Sequence, residues 1–79
     1  MRQRRGEYTG VCETAILRTL QRGPYIGTVV ALAALVGHPE VRTWRALVGL
    51  AGRQLVIAQR TPTGVRLEIS RRGRAVGGR

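Results

Sequence analysis

The sequence predicts one small, mainly α domain in which three helices are followed by a two-stranded β-hairpin. Three observations carry this. Apolar residues recur at three- and four-residue spacing in three separate segments. Two later segments, 55–60 and 65–70, read as extended and flank the turn Thr61-Pro62-Thr63-Gly64. The length, 79 residues, is enough for one core and too little for two.

Residues 1–8 form a basic arm with nothing to bury and are expected to be flexible. Residues 9–72 hold the folded domain, and 73–79 a basic, Gly-rich tail, also expected to be flexible, adding at most one helical turn after Ser70. The first helix opens at Thr9, a suitable cap, with Glu13 in the first turn where the helix dipole favours an acid. Cys12, Ile16 and Leu20 repeat every four residues, Leu17 lies at the edge of that stripe, and Gly23-Pro24 stops the helix. The second helix starts beside Thr28, whose hydroxyl can cap it. Val29, Leu32, Ala33 and Val36 make its core stripe. Val30, Ala34 and Leu35 make the rest apolar as well, which reads as burial between two helices or as a partner interface through Val30 and Leu35.

Gly37-His38-Pro39 is the turn into the third helix, with Pro39 at its first position. That helix runs to Ala51 or Arg53. A period of 3.6 places Val41, Trp44, Leu47, Val48, Leu50 and Ala51 on a buried side, Trp44 as a core residue. Arg42, Arg45 and Arg53 fall opposite, with the small Ala46 and Gly49 between them. In the hairpin, Val65, Leu67 and Ile69 point inward while Arg66, Glu68 and Ser70 point outward.

Charge narrows the function classes. Fourteen Arg, no Lys and four Glu give a net charge of +10, which calls for an acidic partner. The single cysteine, Cys12, excludes an internal disulfide and a cysteine zinc cluster, and reads as a small core residue. His38 stands alone, so no metal or cofactor is expected. No paired carboxylates, phosphate-cradling loop or nucleophile–base arrangement points to an enzyme. The apolar run 26–36 is too short to span a bilayer and lies too far into the chain for a signal peptide, so a cytoplasmic protein without membrane contact is expected. So small a core leaves no room for a small-molecule effector pocket.

Four local words resemble the winged helix-turn-helix family. Leu32-Ala33-Ala34-Leu35-Val36-Gly37 is similar to the end of the second helix in bacterial winged-helix repressors. The stretch Leu47-x-x-Leu50-x-x-x-Gln54-Leu55-Val56 resembles their exit from recognition helix into wing. Leu67-x-x-Ser70-x-x-Gly73-Arg74 resembles the closing of the wing, and Leu20-x-x-Gly23-Pro24-x-x-Gly27 resembles PadR-type regulators. The similarity covers residues 12–75. Gln54 stands where the family has Gly, so either Gln54 takes a left-handed conformation or the helix ends earlier, at Gly52. The long C-terminal dimerisation helices of PadR-type proteins have no counterpart.

The resemblance and the basic face together imply a sequence-specific double-stranded DNA-binding protein, a small transcriptional regulator that puts its third helix in the major groove. Arg42 and Arg45 are the candidates for guanine, Thr43 for a base or phosphate, and Arg53 for a phosphate. Ala46 and Gly49 would let the helix approach the groove floor. Arg60, Thr63 and Arg66 would bring the wing onto backbone or minor groove, and the arm residues Arg2, Arg4 and Arg5 would reach an adjacent groove. A homodimer on a two-fold site would double a small interface. A compact regulator without a sensor fits a bacterium, phage or other mobile element. The second reading is a winged-helix protein-interaction module acting on a nucleic-acid machine, and the third is RNA binding, disfavoured by the scarcity of aromatics.

Overall fold

The computed structural model describes residues 10–77. In chain order these form α1 (Val11–Leu20), β1 (Tyr25–Gly27), α2 (Val29–Val36), α3 (Glu40–Gly52), β2 (Val56–Thr61), β3 (Gly64–Ile69) and α4 (Arg71–Gly77). The result is a mixed α/β fold with four helices and a three-stranded antiparallel sheet, ordered β1-β3-β2. It contains the three helices and hairpin expected, adds a strand and a helix, and is compatible with a winged helix. No helix among the described residues is long and apolar enough to cross a membrane.

The core lies where α1, α2 and α3 meet the inner face of the sheet. Ile16, Leu17 and Leu20 of α1, Leu32 of α2, Leu47 and Leu50 of α3, and Leu55, Val56, Leu67 and Ile69 are all buried in one cluster. Leu17 is therefore central rather than marginal. Cys12 is buried and belongs to the same cluster, as its position on α1 indicates. In α2, Thr28 accepts the Ala31 amide hydrogen at 3.1 Å, and Gly37 ends the helix at a left-handed φ of 77°.

Two caps differ from expectation. Gly10 is the N-cap of α1, and the Glu13 carboxylate reaches back to accept its amide hydrogen at 3.2 Å; Thr9 lies outside the described residues. Pro39 is the N-cap of α3, not its first turn, and its carbonyl accepts from both the amide and the hydroxyl of Thr43, at 2.9 and 3.0 Å.

β1 is three residues long and has no periodicity of its own. It exists because the free edge of β3 pairs with it, Tyr25 opposite Leu67 and Gly27 opposite Val65. The Tyr25 hydroxyl donates to the Thr28 carbonyl at 2.7 Å, tying the strand to the start of α2. On its other side β3 pairs with β2 from Val56–Ile69 to Thr61–Gly64, so Pro62 and Thr63 alone make the turn.

α3 leaves through a Schellman motif. Leu55 N donates to Leu50 O at 2.9 Å and Gln54 N to Ala51 O at 3.0 Å. Gln54 takes the left-handed position at φ 63°, and the helix also ends at Gly52, so both anticipated outcomes occur together. The strain, of order 1–2 kcal/mol for a residue with a Cβ, is held by Ser70, whose hydroxyl donates to the Gln54 carbonyl at 2.7 Å. The same Ser70 oxygen accepts the Gly73 amide hydrogen at 3.0 Å and so starts α4. Residues 73–77, placed in the flexible tail by the sequence, are thus helical. A Cβ at Gly73 would collide with the Leu55 carbonyl, so glycine is what lets α4 lie against the α3–β2 link.

Replacing Gln54 by Gly is expected to stabilise the domain by about 0.5–1 kcal/mol, the relieved strain less the added chain entropy. Gly73→Ala is expected to destabilise it by about 1–3 kcal/mol through overpacking. Thermal melts of the two variants check this, and equal melting temperatures would contradict the strained exit.

Candidate nucleic-acid interface

The side chains that α3 offers to solvent depend on how the helix is turned about its axis. Its buried stripe is Thr43, Ala46, Leu47 and Leu50, a three-and-four spacing in which Thr43 is 0% exposed. Thr43 fits there because its hydroxyl is satisfied by the Pro39 carbonyl, and the Cys12 thiol points at it from α1 at 3.9 Å. Small residues at Cys12, Thr43 and Ala46 let α1 and α3 approach closely.

This setting corrects several sequence assignments. Trp44 is not core: it is 47% exposed, and Val41 and Val48 are 64% and 60% exposed. Leu47 and Leu50 are buried as expected, while Ala51 is half-buried. Thr43 and Ala46 face the core and cannot meet DNA in this arrangement. Gly49 does not open a groove floor either. It is half-buried, and a Cβ there would come within 2.9 Å of a Glu13 carboxylate oxygen. Arg53 is held on the same carboxylate, its Nη2 lying 2.5 Å from Glu13 Oε1, and its Nε donates to the Gly49 carbonyl at 3.3 Å. It is a clamp between α1 and α3 rather than a free phosphate contact.

Arg42 and Arg45 are where the sequence puts them, exposed on α3 and without an ion pair among the described residues. The outward face is therefore Val41, Arg42, Trp44, Arg45 and Val48, a basic and apolar mixture rather than a plain basic one. Spacing does not separate the two faces, since Val41, Trp44 and Val48 keep the same three- and four-residue register as Thr43, Ala46, Leu47 and Leu50, and size favours Trp44 as core.

The hairpin divides its arginines between two faces, because successive strand residues alternate. Arg60 is opposite Val65 and lines a cleft of about 230 Å³ between α3 and the sheet, together with Trp44, Val48, Ala58 and Val65. Arg66 is on the other face, opposite Gln59 and Ile26, and donates to Glu68 at 3.2 Å. Arg60 and Arg66 therefore do not serve one surface. Thr63 is exposed at the hairpin tip. Val30 and Leu35 are exposed on α2, a helix with no charged residue. Arg2, Arg4 and Arg5 lie outside the described residues.

No known protein family, curated protein or solved structure matches the chain.

Glu13 and the outward arginines are expected to behave oppositely on mutation. Glu13→Ala removes both the α1 cap contact and the Arg53 clamp, and is expected to cost about 1–3 kcal/mol. Arg42→Ala and Arg45→Ala are expected to stay within about 0.5 kcal/mol of the parent, as surface changes do. Urea denaturation of the three variants separates the structural set from the functional one.

Proposed function

We propose that the chain is a winged helix-turn-helix protein that binds double-stranded DNA sequence-specifically and acts as a small transcriptional regulator. The observation that carries this reading is the pair Arg42 and Arg45, exposed and without an ion pair among the described residues, on the outward face of a 13-residue helix, with Arg60 facing it across a cleft. An α-helix is about 10–12 Å across with its side chains and fits the roughly 12 Å width of a major groove, and α3 offers one basic outward face to it. Arg42 and Arg45 take guanine edges or adjacent phosphates, and Arg60 and Thr63 bring the hairpin onto the backbone. Glu40, exposed in the first turn of α3, repels phosphate. Contact therefore comes from the side chains of the outward face rather than from the free amide groups at the helix N-terminus. The net charge of +10 supplies the long-range attraction. The local resemblance to PadR-type sequences supports the same reading.

A second reading, a protein-interaction module, is favoured by one feature: Val30, Ala31, Ala34 and Leu35 form an uncharged exposed face on α2. Within the first reading this face suits a second copy of the same chain, since two such basic chains approach best where neither carries charge, and doubling the interface raises affinity on a two-fold site.

Fluorescence anisotropy with random duplexes and with the DNA upstream of the gene, across a salt series to about 0.15 M, tests the proposal. Tight binding to a subset of duplexes is expected to survive that salt. It should weaken at least tenfold in the Arg42→Ala/Arg45→Ala variant, because each bidentate arginine–guanine pair is worth about 1–3 kcal/mol. Equal, salt-sensitive binding to every duplex, unchanged in the variant, would overturn it and favour the protein partner.

A further inference from the structure

We propose that the apolar stripe on the outward face of α3, Val41, Trp44 and Val48, reads the C5-methyl groups of thymines, so the target carries thymines beside the guanines taken by arginine. The inference rests on the DNA-binding reading and adds the base chemistry to it. These three residues recur at three- and four-residue spacing along one line of the helix, and the core does not use them. They remain 47–64% exposed in a small domain that has little apolar surface to spare.

What surrounds the stripe identifies its partner. Arg42 and Arg45 follow one edge, and Arg60 stands across the cleft at the other. Such a strip, greasy in the middle and cationic at its borders, matches a surface that is apolar at its floor and anionic at its rims. A thymine-bearing major groove has that pattern, with the C5-methyl on the base edge and phosphates on either side. From Val41 to Val48 the helix rises about 10 Å, roughly three base-pair steps, so up to three methyls lie within its span. Val41 and Val48 suit the task because a β-branched side chain holds one strongly preferred rotamer in a helix and presents its methyl groups at fixed positions. Trp44, against Ala58 and Val65 in the cleft, adds a large apolar face and an indole N–H that can donate to a base-edge acceptor.

Duplexes selected by the full chain from a random pool would be remade with each thymine replaced in turn by deoxyuridine, which deletes the methyl and keeps the base pairing. At one to three positions near the selected guanines, affinity is expected to fall about fourfold per methyl. That loss should vanish in Val48→Ala or Trp44→Ala at the position each side chain covers, and persist in Arg45→Ala. Circular dichroism of these surface variants confirms that they fold. A selected guanine preference with no uracil effect anywhere would overturn the methyl readout alone. Failure to select any sequence would overturn the DNA reading itself, so the two failures are distinguishable.

Discussion

The rotation of α3 against α1 is the constraint on which the rest of this molecule depends. Cys12 and Thr43 meet at the crossing, and both are small enough for the two backbones to come close. One carboxylate then closes the contact from the side. Glu13 caps its own helix through Gly10, holds Arg53, and lies over Gly49, where any side chain would crowd it. With that contact set, Leu47 and Leu50 enter the core, and Val41, Trp44, Arg45 and Val48 point away from it. The exit of α3 is set by the same rotation. Leu50 receives the Leu55 amide hydrogen, Gln54 is forced left-handed, and Ser70 ties the strained carbonyl to the start of α4.

The distribution of charge follows from this packing. Among the described residues, Glu13 is used by Arg53 and Glu68 by Arg66, so these carboxylates neutralise arginines away from the outward face of α3. Arg42, Arg45 and Arg60 have no ion pair among the described residues. The exposed Arg66–Glu68 pair adds little to stability, as such pairs do. The partly buried Glu13–Arg53 pair matters more, because it is less screened by solvent and ties α1 to α3.

What the sequence makes legible is what is decided locally. The α1 stripe, the Thr28 cap, the Gly37 turn and the hairpin all depend on residues a few positions apart, and each forms where its pattern indicates. The facing of α3 depends on Cys12 and Glu13, more than thirty residues earlier in the chain, and a helical wheel holds no information about them. On that wheel Trp44 looks like core, and Thr43 like surface, because hydrophobicity alone is counted. β1 and α4 escape the sequence for a related reason. Three residues cannot declare a strand until β3 offers an edge, and a Gly-rich tail reads as loose until Gly73 is seen to pack on Leu55. Of the proposed DNA contacts, Arg42, Arg45, Arg60 and Thr63 keep an exposed position consistent with the role. Thr43, Ala46, Gly49 and Arg53 turn out to build the support behind it.

Trp44 is the only tryptophan in the chain, so its fluorescence reports on the central claim without labelling. The measurement is acrylamide quenching of the folded protein, alone and with a saturating selected duplex. The α3 setting described here requires an indole readily quenched in the free protein and shielded once DNA covers the outward face. An indole already protected in the free protein would contradict the rotation of α3. One equally quenched with and without bound duplex would contradict its use as the DNA-facing surface.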